Sequence, residues 1–379
     1  MAGVLARPVS GCDYNHKCAK DKHLAEIARK IALLDLDAFF ASAEELRDPS
    51  LKTRPFAVGG GGERGVVATA NYLARQYGVK SAMPGSHARR LCPQLTFIRP
   101  DGNYYRELSN KVLDVLQELT PRIEPASIDE FYLDLTHLEG FKGSATLAMN
   151  HVRERIKTLG ITGSAGISNQ KMVAKIASEE RKPDGQFVVH PSEVLDYIAA
   201  LNLKQIPGVG PKSQQVLTNH GLTTGQDIQQ IELQQLQAIL GEKAGYVLFE
   251  RCHGRDRREV VTERIRKSVG VEQTLTTDMR LESTAQAYVQ DNLLPKLRQR
   301  MKISHWREQP IRSQTLKLKF SDFTQTTVSR SSQFISPSLF YQLLDEAWQR
   351  GKGKGVRLLG ISATLPDPNE QLQLELELD

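Results

Sequence analysis

The sequence predicts a multidomain α+β protein, and three observations carry that prediction. A chain of 379 residues that is 40% hydrophobic exceeds the roughly 100–200 residues that one core usually serves. Between Ile31 and Lys182 strand-like and helix-like stretches alternate, but a tight hairpin sits among them, which argues for an antiparallel sheet rather than a doubly wound one. A helical block from about Pro191 to Arg258 then gives way to strand-like text from Val269 onward.

Taken in order, residues 1–30 show no periodicity and read as an N-terminal extension. Cys12, His16, Cys18 and His23 match no common zinc spacing. Val9 to Cys12 resembles a lipoprotein cleavage box, but Arg7 and Pro8 occupy the place of an apolar signal core. Ile31-Ala32-Leu33-Leu34 is a buried strand ending in Asp35, followed by helix-compatible sequence through Glu45. Phe56 to Val58 and Val66 to Ala70 are short strands around the Gly59–Gly62 turn, with a helix from Tyr72. Gly60, Gly62 and Gly65 fit the letters of a dinucleotide-binding loop, yet a strand follows them instead of a helix, so they are read as a turn. Ile123 to Ser127 and Phe131 to Leu135 form the hairpin, with Asp129 and Glu130 at its tip. Gly163 to Ser168 is another buried strand. Lys171 to Lys182 has apolar residues at helical spacing and is stopped by Pro183-Asp184-Gly185. Beyond Val269, Leu316–Phe320, Thr326–Ser329 and Leu358–Leu365 are strands with two helical segments between them, a second α+β unit.

Charge is unevenly spread. The net charge is +6 and the pI about 9.0. Between Arg251 and Arg357, 21 Lys and Arg stand against 11 Asp and Glu, a local +10 that leaves −4 for the rest. That asymmetry suits a protein that grips a polyanion with one part and holds cations with another, although a solvated basic surface would look the same. Four scattered cysteines form no disulfide framework and point to a reducing, cytoplasmic compartment. No apolar run approaches the roughly 18 residues needed to cross a bilayer.

Asp35, Asp129 and Glu130 are the candidate chemical centre. Three converging carboxylates repel one another unless cations compensate, and two Mg²⁺ ions would both do that and activate a hydroxyl against a triphosphate. Any one of them alone reads equally well as a turn acid.

Leu34-Asp35-Leu36-Asp37-Ala38-Phe39-Phe40, Ala68 to Arg75, and Ser127-Ile128-Asp129-Glu130-Phe131-Tyr132-Leu133-Asp134 resemble the signature segments of Y-family DNA polymerases of the DinB type. The likeness continues, in order, through Ser164 to Ser168, Ala174 to Ser178, Lys182 to Gly185 and Ile206 to Gly210. It implies a right-handed polymerase. Its ferredoxin-like antiparallel palm spans 31–38 and 101–190, with small fingers at 39–100. A helical thumb with a helix-hairpin-helix follows at 191–259, then a linker at 260–268, an α+β little finger at 269–366 and a tail at 367–379. The implied activity is error-prone translesion DNA synthesis without proofreading, adding deoxynucleotides to a primer 3′ end.

Residue by residue, the resemblance implies that Asp35, Asp129, Glu130 and the Leu36 carbonyl bind two Mg²⁺. Asp37 is the less certain acid. Tyr72, Arg75, Lys182 and Thr69 match nucleotide-binding positions. Phe39 and Phe40 both suit a core; the family pattern selects Phe40 as the steric gate against a ribose 2′-hydroxyl. Val66, Ala68 and Ala82 match small residues that roof the nascent base pair. Gly208, Gly210 and Lys212 of the thumb turn, with Arg266, Lys317, Lys319 and Arg330 of the basic unit, would contact primer-template DNA. Gln371, Leu372, Leu374 and Leu376 resemble a peptide that docks into a sliding clamp, without the usual terminal aromatic. The expected protein is a cytoplasmic monomer. Two alternatives stay open at this stage: a nucleotidyl cyclase, which would not need the thumb turn or the basic unit, and a noncatalytic DNA-binding scaffold, which would need only those.

Overall fold

The computed structural model describes residues 29–303 and 310–367. Residues 1–28 of the expected N-terminal extension and the expected clamp-binding peptide from Gln371 to Leu376 lie outside the described residues.

The chain enters through β1 (Ile31–Leu36), all six residues of which are buried, as befits a central strand covered on both faces. Ala38, at φ 45°, turns the chain into the helix Phe39–Arg47. Three short strands follow: β2 (Phe56–Gly59), β3 (Val67–Ala70) and β4 (Thr96–Ile98), ordered β3-β2-β4. The turn between β2 and β3 needs its glycines. Gly59 and Gly60 have φ of 77° and 84°, and a Cβ on Gly85 would lie 1.8 Å from the Gly60 carbonyl oxygen. The helix Tyr72–Gln76 starts at Asn71, whose Oδ1 accepts the Ala74 amide at 3.0 Å and the Phe56 amide at 3.1 Å. One buried side chain therefore caps the helix and ties it to β2.

The chain then completes the first sheet. After the helix Gly102–Gln117, capped by Asp101, come β5 (Ile123–Pro125) and β6 (Glu130–Asp134); after the helix Ala145–Lys157 come β7 (Gly163–Ser168), the helix Lys171–Ala177 and β8 (Gln186–Val188). The order is β5-β6-β1-β7-β8, antiparallel except for the parallel β7–β8 pair. The two long helices cover one face, where Leu34 and Leu36 join Tyr105, Val112, Met149 and Val152 in a common core. Ile31 and Leu33 turn to the other face with Tyr132 and Ala174. The helix read as Lys171–Lys182 ends at Ala177, after which the chain tightens into i→i+3 turns, with the Glu179 and Glu180 amides donating to the Ile176 and Ala177 carbonyls. Its contact with β7 is backbone on backbone: a Cβ on Gly166 would lie 1.9 Å from the Ala174 oxygen.

A run of short helices from Val194 to Cys252 packs a core around Ile198, Leu217, Leu236 and Leu248 that also takes in Met172, Val173 and Ile176 of the helix Lys171–Ala177. The last unit is a sheet ordered β11-β10-β12-β9, formed by β9 (Ser268–Met279), β10 (Ser313–Phe320), β11 (Gln325–Ser331) and β12 (Val356–Thr364). Helices cover one face; Leu316, Leu318 and Phe320 alternate into that core while the residues between them look outward. Arg64 bridges this sheet to the β2–β3 region, with its guanidinium 2.7 Å from Asp278 and 3.0 Å from the Leu275 carbonyl.

Candidate active site

Strand register brings Asp35 and Glu130 together. They are direct partners in the antiparallel β1–β6 pair. Because Leu34 and Leu36 fill the helical core, alternation turns Asp35 to the opposite face, where Glu130 shares the parity of Tyr132. Asp35 is nonetheless 7% exposed. Burial raises its pKa to about 6; the ammonium of Lys182, 2.8 Å away, opposes that rise, and Glu179 and Glu130 add to it. Burial likewise pulls Lys182 down, but Asp35 and Glu179 outweigh it and its pKa is raised. Lys175 Nζ lies 2.6 Å from Glu130 Oε2.

The hairpin tip is organised by Ser127. Its hydroxyl donates to Asp129 Oδ1 and accepts the amides of Asp129 at 3.2 Å and Glu130 at 3.0 Å. The tip is tied to β1 by the Leu36 amide, which donates to the Asp129 carbonyl at 2.9 Å.

The expected convergence of three carboxylates is met in the backbone but not in the side chains. Among the described residues, no three His, Cys, Asp or Glu side chains are gathered as a metal site requires. Each acid is instead engaged singly: Asp35 by Lys182, Glu130 by Lys175 and Asp129 by the Ser127 hydroxyl. The donor set still suits a hard divalent cation: three carboxylates supply oxygen, and Lys182 leaves the desolvation of Asp35 only partly compensated.

Lys182 meets Asp35 directly, whereas Tyr72 and Arg75 stand together on the helix Tyr72–Gln76. Arg75 lies over the Tyr72 ring at 4.8 Å and donates through Nε to the Ala70 carbonyl at 3.0 Å. Burial raises the Tyr72 pKa, the charges of Asp37 and Asp35 add to that rise, and those of Arg75 and Lys182 oppose it. Thr69 is 8% exposed and sits opposite Val58 in the sheet. Phe39 is core, at 2% exposed. Phe40 is only partly buried and stacks on Tyr105, with ring centroids 4.4 Å apart and planes at 15°. Val66, Ala68 and Ala82 are all exposed; Val66 and Ala68 alternate outward beside β3, and the Ala82 amide reaches the Val67 carbonyl at 2.9 Å.

Two roles escaped the sequence. Lys175 stands in a helix where its spacing looks like any solvated lysine, and only the fold sets it against Glu130. Asp37 is 1% exposed, with both carboxylate oxygens already engaged by Ser164 and the Asp184 amide.

Comparison with known proteins decides the family. Residues 34–179 match the impB/mucB/samB family, 204–256 the thumb domain of DNA polymerase-iota, and 266–376 the impB/mucB/samB C-terminal domain. DNA polymerase IV of Aeromonas hydrophila is 43% identical over 352 residues, covering 92% of this chain and 99% of that one. DNA polymerase IV of Salmonella paratyphi B is 44% identical over 353 residues, covering 92% and 100%. The chain belongs to the DNA polymerase IV family. Among solved structures, a Y-family chimera of Dbh and Dpo4 has a TM-score of 0.77 at 27% identity, over 88% of this chain and 98% of that one. DinB from Sulfolobus solfataricus has 0.61, also at 27% identity and the same coverage. This is therefore a translesion DNA polymerase, and the readings as a cyclase or a noncatalytic scaffold fall.

In this polymerase the basic residues do not form one surface. Lys317 and Lys319 alternate onto the open face of the second sheet; Lys317 lies 2.9 Å from Glu272, and Lys319 lies 5.2 Å from the Phe323 ring. Arg330 stands opposite Gln314, a fully buried residue, and thus points to the helix-covered side, where it pairs with Glu346 at 2.6 Å. Arg266 is exposed in the extended segment before β9. In the thumb turn, Gly210 caps the helix Pro211–Asn219 with Lys212 exposed in its first turn. Gly208 adopts φ 91°, and Arg251 donates to the Pro207 carbonyl beneath it. No helix among the described residues is long and apolar enough to cross a membrane.

Proposed function

We propose that the polymerase centre comprises Asp35, Asp129 and Glu130, with the Leu36 carbonyl, holding two Mg²⁺ ions where the end of β1 meets the start of β6. The observation that carries this reading is the in-register Asp35–Glu130 pair, one acid of which is buried and undercompensated beside a lysine. Bound Mg²⁺ would lower the pKa of the primer 3′-hydroxyl and offset charge on the leaving pyrophosphate.

The chain's own residues supply orientation and charge. Lys182 exchanges its ion pair with Asp35 for the triphosphate, where its ammonium acts as a point charge, while the guanidinium of Arg75 and the hydroxyl of Tyr72 grip further phosphate oxygens. Thr69 lies close beneath the nucleotide. The primer 3′ oxygen forms its bond to the α-phosphorus as the bond to the β-phosphate oxygen breaks, releasing pyrophosphate. Phe40, held flat by Tyr105, fills the space a 2′-hydroxyl would need. Exposed Val66, Ala68 and Ala82 present a low roof over the base pair, which suits damaged templates.

In this reading the palm spans 31–38 and 101–190, the fingers 39–100, the thumb 191–259 and the little finger 269–366. Duplex DNA lies against the thumb turn, where Gly208 and Gly210 let amides approach phosphate, and along the outward row of Lys317 and Lys319 with Arg266. That row supplies sequence-independent, salt-sensitive grip. Gln371 to Leu376 docks into the sliding clamp as an extended peptide with alternating leucines, and the enzyme works in the cytoplasm. The test is extension of a labelled primer with Mg²⁺ by wild type and by Asp129→Ala plus Glu130→Ala. Loss of extension in a variant that still folds and binds duplex supports the site; retained extension overturns it.

A further inference from the structure

We infer that Asp37 is a positioning residue that delivers Lys182 to the triphosphate by clamping the loop Lys182-Pro183-Asp184-Gly185, and that it is not a metal ligand. The inference rests on the assignment of Lys182 to the triphosphate made above.

Asp37 lies two residues beyond Asp35, where β1 has ended, and its side chain turns into the sheet. Its Oδ1 accepts the Ser164 hydroxyl at 2.7 Å, and its Oδ2 accepts the Asp184 amide at 2.8 Å. Ser164 is fully buried on β7 and also meets the Gly185 amide at 3.4 Å. Asp37 itself is fixed by its own amide, which donates to the Thr162 carbonyl at 3.0 Å, and by Ser42, whose hydroxyl donates to its carbonyl at 2.7 Å. Each carboxylate oxygen thus accepts a hydrogen bond from a neutral donor, and the side chain is 1% exposed.

From the other side the loop is gripped through Asp184. Arg153 donates to its carbonyl and, at 2.7 Å, to Oδ1; Lys157 lies 2.9 Å from Oδ2. The Arg153 Nε bonds the Gly163 carbonyl of β7 at 3.0 Å. The loop is therefore fastened to the end of β1, the strand that carries Asp35, and of its neighbour β7, and Lys182 stands two residues before the fastening point. A long, flexible ammonium gains precision when its backbone cannot move.

The test uses the full chain in primer extension, with kcat and KM for the nucleotide measured for Lys182→Ala, Asp37→Ala, Asp37→Asn and the double Asp37→Ala, Lys182→Ala. Asparagine can keep both bonds, because the Ser164 hydroxyl can turn to accept. The expected result is a KM raised about tenfold in Asp37→Ala with kcat within about threefold, a KM within about threefold of wild type in Asp37→Asn, and a double variant no worse than Lys182→Ala alone. Without nucleotide or metal, hydrogen exchange across Arg181–Gly185 accelerates in Asp37→Ala and not in Asp37→Asn. If Asp37→Ala does not fold, Ser164→Ala replaces it and shows the same KM effect in weaker form. Wild-type KM in Lys182→Ala overturns the assignment of Lys182. Wild-type KM in Asp37→Ala beside an impaired Lys182→Ala overturns the role of Asp37, as does a double variant whose losses multiply. Asp37→Asn as inactive as Asp35→Asn makes Asp37 a ligand and overturns the inference as well.

Discussion

Lys182 Nζ lies 2.8 Å from Asp35 Oδ1, a pair joined by the fold from positions at the two ends of the palm sequence. Lysine meets only part of the cost of burying the acid, and the Asp35 pKa stays near 6. Activity should therefore fall as pH drops through about 6, where Asp35 takes up a proton and ceases to attract cations. Metal and proton compete for the same oxygens, so the acid limb of a kcat profile should move to lower pH as Mg²⁺ rises. A limb unmoved by Mg²⁺ would detach Asp35 from the metal.

The same shift bears on stability. An acid whose folded pKa lies above its unfolded value holds its proton more tightly when folded, so its contribution is present at low pH and is lost as pH rises through about 6. Asp35→Asn removes that loss. Relative to wild type it should gain stability between pH 4.5 and pH 8, by about 2 kcal/mol, in urea melts at those two values. An equal gap at both pH values would refute the burial argument.

Asp129→Ala plus Glu130→Ala should abolish extension, by at least about 10³-fold, while leaving the fold intact. The pair Glu130–Lys175 is partly exposed, with side chains 26% and 35% accessible, so its loss costs at most about 1 kcal/mol. Thermal melts beside the extension assay separate the two effects.

Phe40→Ala should admit ribonucleotides. Removing the ring lowers deoxy-over-ribo discrimination in kcat/KM by about 10²-fold, with the stack on Tyr105 lost at a cost of about 1 kcal/mol. Paired single-nucleotide incorporation assays check it; unchanged discrimination moves the gate elsewhere.

Lys317→Ala plus Lys319→Ala should flatten the dependence of duplex affinity on salt by about 2 in log–log slope. Arg330→Ala should leave that slope unchanged, since Arg330 pairs with Glu346 on the helix-covered side. Titrations at several salt concentrations distinguish these, and equal effects would place DNA on both faces.

Much of the fold was legible locally. The apolar run at Ile31, the hairpin around Asp129, the glycine turn after Val58 and the helical block after Pro191 are each fixed by short-range pattern and turn chemistry, so they appear where sequence puts them. The family motifs, running in order, named Asp35, Asp129 and Glu130 as the acids. What sequence could not supply was which side chains meet. The parity that puts Asp35 beside Glu130 depends on strand register, and register is a pairing between segments 95 residues apart. Arg330 belongs to the same basic stretch as Lys317 and Lys319, yet alternation along β11 sends it to the other face. Asp37 looks like a third acid in its motif; only the packing of β7 and the loop after Lys182 spends both its oxygens on hydrogen bonds. Sequence determines the elements and their chemistry because those depend on neighbours along the chain, whereas tertiary structure decides partners because contact depends on neighbours in space.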